Sequence, residues 1–140
     1  MGYYEAYKSV FDAVKDVLSG ITNIKQVNVG EPLKIRSLPL AVVNPEETEI
    51  TQANIGGLLQ NKINFTVIIV VRETEPEDWF EDVVSIMSEV VDAFLTDRTL
   101  NGTVKDLSPT FFAPGEIKFT NKLYYGGAVR LTALLFYKPS

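Results

Sequence analysis

The run from Lys62 to Val71 constrains this chain most. Ile63, Phe65, Val67, Ile69 and Val71 fall on one face of an extended segment, and Asn64, Thr66, Ile68, Val70 and Arg72 on the other. A period of two specifies a strand, and a wholly apolar face specifies a second layer to cover it. The other face starts polar and turns apolar, so part of it needs cover too. The chain must therefore build a sheet with other elements packed on it.

Two stretches supply the covering layer. A first helix is predicted from Tyr3 to Ser19. Tyr7, Val10, Phe11, Val14, Val17 and Leu18 recur at helical spacing, with Glu5, Lys8, Asp12, Lys15 and Asp16 mostly off the stripe. Gly20 stands where a left-handed C-terminal cap belongs. A second helix is predicted from Glu75 to Thr96. Thr74 and Glu77 have capping-box spacing, and Pro76 sits in the first turn, where its missing donor costs nothing. Trp79, Phe80, Val83, Val84, Met87, Val90, Val91, Phe94 and Leu95 make a wide apolar face. Asp78, Glu81, Asp82, Glu89 and Asp92 lie opposite it.

The rest reads as strands and turns. A short strand is expected over Ile24–Val29, a turn at Gly30-Glu31-Pro32, and a strand over Leu38–Val43 with Pro39 near its start. Residues 44–61 read as a long connection, so 38–43 and 62–71 form a hairpin with an oversized tip. Leu100-Asn101-Gly102-Thr103 is a turn. Val104 to Tyr137 reads as β throughout, interrupted at Pro114-Gly115 and Asn121-Lys122, with Gly126-Gly127 before a last strand over Ala128–Tyr137. The order α-β-β-β-α-β-β-β predicts an α+β fold: two helices on one face of a mostly antiparallel, mixed sheet. No repeat or linker divides the 140 residues, so one domain over 1–140 is expected.

Composition narrows the chemistry. The chain has no Cys and no His, which removes disulfides, thiolate sites and every His-dependent triad or dyad. Asp78 and Asp82 share a helix face, but two helix carboxylates supply too few oxygens for a hard cation. Gly56-Gly57 lacks the Lys-Ser/Thr of a phosphate loop, and Gly126-Gly127 leads into a strand and not a helix. Asn64-Phe65-Thr66 and Asn101-Gly102-Thr103 fit a glycosylation pattern, but the first lies in a strand and the second in a turn. No catalytic residue, metal or cofactor is expected. Nor is a membrane span: the longest apolar run, Val67–Val71, is far too short, and the first residues do not make a secretion signal.

Charge is uneven. Residues 1–72 hold seven acids and seven bases, residues 73–97 nine acids and no base, and residues 98–140 two acids and six bases. An acidic chain argues against simple nucleic-acid binding. Phe111, Phe112, Phe119, Tyr124 and Tyr125 lie among Lys118, Lys122 and Arg130, a mixture that can stack on single-stranded nucleic acid but reads more simply as sheet core plus a subunit contact. Three candidate surfaces follow. The connection carries Ile50, Ile55, Leu58 and Leu59 around Gly56-Gly57, more aliphatic surface than a solvated loop needs, and is an expected protein contact. Glu81, Asp82, Glu89 and Asp92 form an acidic face, read as a partner contact, a channel wall or plain solvated surface. Lys118, Lys122 and Arg130 form an expected basic C-terminal face.

In order and texture the chain resembles the tail terminator (tail completion) proteins of long-tailed bacteriophages and related proviruses. The likeness runs through the first helix, Leu38-Pro39-Leu40-Ala41-Val42-Val43, the long connection and the strand Phe65–Arg72. It continues through the acidic helix opening at Pro76-Glu77-Asp78, its exit from Leu95 through Asp97-Arg98 to Asn101-Gly102-Thr103-Val104, and the closing Tyr125-Gly126-Gly127-Ala128-Val129-Arg130-Leu131. The resemblance implies a homohexameric ring on the end of the tail tube. Such a ring stops tube polymerisation, offers a surface to the head–neck connector and lets genome DNA pass without specific binding. The implied partners are the chain itself, the tube protein and the neck protein; the implied location is the virion tail, assembled in the host cytoplasm. Alternatives are another neck or tail-tube component, or, from a different class, a small-molecule-binding α+β regulatory domain or a carboxylate enzyme.

Overall fold

The stripe from Tyr7 to Leu18 winds into α1 (Tyr3–Ser19) in the computed structural model, which describes residues 2–32, 34–54, 56–73, 79–119 and 121–139, with only the main chain of Glu73. Val10, Phe11, Ala13, Val14 and Leu18 are buried, and Tyr7 and Val17 pack against the same core. The Gly2 N–H donates to Glu5 Oε2 at 3.0 Å, which occupies one of the orphan donors at the helix start. Gly20 is not the left-handed cap expected. Its φ is −78°, and its N–H donates back to the carbonyls of Asp16 and Val17, so the helix ends in a tightened right-handed turn.

Five strands follow the pattern of an α+β fold: β1 (Gln26–Val29), β2 (Leu40–Gln52), β3 (Leu59–Glu73), β4 (Asp106–Phe119) and β5 (Lys122–Tyr137), with α2 (Trp79–Thr96) between β3 and β4. The sheet order is β1-β2-β3-β5-β4. Only β1–β2 is parallel; the other three pairings are antiparallel. Thr74–Asp78, which carry the expected capping pair and Pro76, lie outside the described residues.

Both helices cover one face. Ile63, Phe65, Val67, Ile69 and Val71 of β3 share a core with Ala41, Val43, Val129, Leu131, Ala133 and Leu135 of the flanking strands, and with the buried sides of α1 and α2. Aromatic edges tie the layers: Phe65 meets Phe11 of α1 at 5.5 Å and Phe94 of α2 at 6.3 Å between ring centroids. Among the described residues, a second apolar cluster covers one end of the opposite face. There Leu40, Val42, Val70, Phe119 and Tyr124 cluster beneath Ile35 and Leu38. This second, smaller cluster is why Ile68 and Val70 break the polar pattern of that face.

Two elements differ from expectation. The connection 44–61 is mostly strand: β2 continues to Gln52 and β3 starts at Leu59, joined by a short tip in which the Ala53 N–H donates to the Leu58 carbonyl at 2.8 Å. Pro45 is tolerated because β1 stops opposite Val43, leaving β2 an edge strand from Asn44 onward. The segment 104–137 holds two strands and not three. Pro114 and Gly115 stay in register with Gly127 and Gly126, because β4 is an edge strand whose outer side needs no donor.

Candidate interaction surfaces

The nine-residue apolar arc of α2 is wider than the side of the helix that is buried. Val83, Met87, Val90 and Phe94 are buried, and Trp79 lies flat on Tyr125 of β5, ring centroids 4.7 Å apart. Phe80 and Leu95, one step around the helix, remain exposed. They flank the side of α2 that looks toward β4, where Ser88, Val91 and Asp92 face Pro109, Thr110, Phe111 and Phe112 across an open, mainly apolar cleft. Phe111 and Phe112 are exposed as well. Phe112 pairs with Val129 and so points to the helix face. Phe111 pairs with Arg130 and points to the other, where the Arg130 guanidinium lies over its ring at 5.5 Å. Sequence reasoning assigned Phe80 and Leu95 to the packing face; only the width of the arc signals that some of it must stay outside.

The acidic residues of α2 do not act as one group. Asp82 accepts a hydrogen bond from Arg72 at 2.9 Å, and Glu89 accepts one from Asn23 at 2.7 Å, so both tie α2 back to the rest of the chain. Glu81 and Asp92 point away from the sheet, and Asp92 forms the rim of the α2–β4 cleft. Asp78 lies outside the described residues. Among the described residues no cluster of acids with metal-binding geometry is present, and no helix is long and apolar enough to cross a membrane.

The expected basic face is dispersed. Lys122 and Arg130 share a face of β5 but are eight residues apart, on the order of 26 Å at strand spacing. Lys118 lies across from Leu123 at the far end of β4. Arg130 is committed within the chain: its Nε is 3.3 Å from Glu46 Oε1, which also accepts from Thr66 Oγ1 at 2.9 Å. Bases gather elsewhere. Lys25, Lys34 and Arg36, all exposed, surround β1, because the Gln26 side-chain oxygen accepts from the N–H groups of Arg36 and Ser37 and folds that segment back beside the strand. Residues 22–37 hold these three bases and one acid, Glu31. This patch was missed because its members are scattered in sequence.

The ribbon formed by the far ends of β2 and β3 carries the aliphatic candidates. Ile50, opposite Asn61, is exposed on the helix-bearing face of the sheet. Leu58 and Leu59 are half-buried, Gly56 and Gly57 form the tip with φ +81° at Gly57, and Ile55 lies outside the described residues. The tip is therefore a projecting hairpin end on a three-stranded base, since β5 backs β3 as far as Leu59–Tyr137.

A scan against protein-family models finds no match for this chain, and a search of curated proteins finds none.

Proposed function

We propose that this chain is a structural, non-catalytic subunit of a viral tail. It would assemble as a ring on the end of the tail tube, stop tube growth and present a surface to the head–neck connector. The observation that carries the reading is surplus apolar surface: Phe80 and Leu95 of α2 and Phe112 of β4 stay in solvent on the helix-bearing side, and Phe111 on the other face, although the core is already closed. Exposed large apolar side chains in excess of what a closed core needs mark protein contacts. A chain without His or Cys has little to offer as a catalyst near neutral pH. The resemblance in the order of helices, hairpin and closing strand supplies the more specific role.

The β2–β3 tip is assigned to the tube or neck, because it ends the hairpin and carries Leu58 and Leu59 beside two glycines. Electron microscopy of the purified chain mixed with tail tubes tests the reading. Density on one end of each tube, and shorter tubes when the chain is present during polymerisation, is the expected result. Tubes of unchanged length with bare ends would refute it. Decoration along the whole tube would point to a tube component instead.

A further inference from the structure

The side-chain amide of Gln26 fixes the orientation of a second amide beside it. Its Oε1 accepts from the main-chain N–H groups of Arg36 at 2.8 Å and Ser37 at 3.1 Å. A main-chain nitrogen can only donate, so that atom of Gln26 is its oxygen and the other is its nitrogen. Gln26 Nε2 in turn donates to Asn28 at 2.8 Å, so the Asn28 atom facing it is Oδ1. Asn28 Nδ2 therefore lies on the far side of its amide from Gln26. It has no protein partner among the described residues.

Gln26 and Asn28 pair with Leu40 and Val42, so both stand on the sheet face away from the helices. The segment from Lys34 to Ser37 runs beside them. Ile35 packs into the second apolar cluster, and the Lys34 carbonyl accepts from Gln26 Nε2 at 3.4 Å. Lys34 and Arg36, on either side of Ile35, stay exposed and line a cleft of about 380 Å³ with Gln26, Val27, Asn28 and Pro32. Neither cation meets a carboxylate among the described residues. Lys25 donates to the Thr22 carbonyl at 2.9 Å, outside this cleft. Glu31, the one acid of residues 22–37, lines a separate cleft with Val42 and Phe119.

We infer that this cleft binds a phosphate group, either as inorganic phosphate or as a phosphate monoester. Two unpaired cations and an amide with free donors, with no acid among the lining residues, suit an anion. Three donor side chains match three oxygens of a tetrahedral anion, whereas a planar carboxylate offers two. Two positive charges balance a dianion. The cleft exceeds the size of one phosphate, which leaves room for the group that an ester carries. The Gln26 bridge between strand and segment sets the donors in place before a ligand arrives, which lowers the ordering cost of binding. The cleft lies within one chain, so the inference goes beyond self-assembly and does not rest on it.

Nuclear magnetic resonance of the nitrogen-labelled chain tests it, with ionic strength held constant. Inorganic phosphate, glycerol phosphate, acetate and chloride are titrated in turn. The Asn28 side-chain amide and the main-chain signals of Gln26–Asn28 and Lys34–Ser37 should shift and saturate with the first two only. Tighter binding of glycerol phosphate assigns the site to a monoester; binding of inorganic phosphate as tight or tighter assigns it to the free ion. Lys34→Gln/Arg36→Gln should weaken binding at least about ten-fold. Asn28→Asp keeps an oxygen toward Gln26 but replaces the donors by a negative charge, and should weaken it likewise. Thermal unfolding of both variants should match the parent. Affinity for glycerol phosphate should also fall as pH drops through about 6, where the dianion gains a proton. No saturating shift with either phosphate, an equal response to chloride, or binding undiminished in the double variant overturns the site. Acetate as effective as phosphate overturns the assignment to a tetrahedral anion.

Discussion

The hydroxyl of Tyr3, in the first turn of α1, donates to Oδ1 of Asn61 near the start of β3 at 2.8 Å, joining residues 58 apart in sequence. Asn61 is fully buried, and its Nδ2 donates to the Leu135 carbonyl at 3.2 Å, so one amide links the first helix to two neighbouring strands. Tyr3 also meets Tyr137 edge-on. Tyr3→Phe keeps the ring and leaves the buried amide oxygen without its partner. A loss of about 1–3 kcal/mol is expected, measured by urea unfolding. Burial, and secondarily Tyr7, raises the Tyr3 pKa. A raised pKa gives stability that is full below the ordinary tyrosine value and is lost as pH climbs through the folded-state value. The gap between the parent chain and Tyr3→Phe should therefore narrow in alkali.

Gly127 lies inside β5, where a side chain has no room. A Cβ there would collide with the Ala113 carbonyl oxygen and with the Met87 side chain of α2, and one at Gly126 would collide with the Ile69 carbonyl oxygen. The glycine pair is thus what lets α2 and the neighbouring strands close on β5. Gly127→Ala should cost at least about 1–3 kcal/mol by overpacking. Gly126→Ala, opposed chiefly by the Ile69 main chain, should cost more and resist rescue by a side-chain change. Thermal unfolding of both variants, with Met87→Ala added to each, checks this: only the Gly127 variant should recover in part.

The Arg98–Asp106 pair fixes the exit from α2 to the start of β4. Arg98 Nε and Nη2 reach the two Asp106 oxygens at 2.8 and 3.1 Å. The hydrogen bond from Arg98, helped by the Leu107 N–H, holds the Asp106 carboxyl below its usual range. A depressed carboxylate gives stability that is present above the unfolded value and lost as pH falls through the folded one. Asp106→Asn should therefore unfold slightly earlier than the parent at pH 7, with the gap closing in acid. Both partners are about half exposed, so added salt should shrink the difference too.

Charge reversal divides the acids of α2 into two pairs. Glu81→Lys and Asp92→Lys, facing solvent, should leave stability within about 0.5 kcal/mol. Asp82→Lys would set a cation against Arg72, and Glu89→Lys would break the bond from Asn23, so both should lower the urea midpoint measurably. Equal effects from all four would contradict the division.

Much of this fold is legible in the sequence because burial imposes a period. The stripes of α1 and α2 and the alternation of β3 follow directly from which residues face the shared core. The far half of β2 is not legible. It has no covered face to impose alternation, so Glu46, Glu47 and Glu49 after Pro45 read as loop, although main-chain pairing with β3 continues to Gln52. Pro114-Gly115 misleads for a related reason: a proline breaks a central strand but not an outer one, and position in the sheet is a tertiary fact. Of the candidate surfaces, composition located the acids of α2 but not their division into Asp82 and Glu89, tied to the rest of the chain, and Glu81 and Asp92, turned outward. The bases at β1 and the exposed Phe112 emerge only once the register is known.

The central claim is that this chain exists to bind copies of itself. Light scattering of the purified chain over a wide concentration range measures that directly. A particle of six-fold mass, dissociating when Phe112 or Leu95 is replaced by Asp, is the result predicted. A strict monomer at every concentration, unchanged by those substitutions, would contradict it.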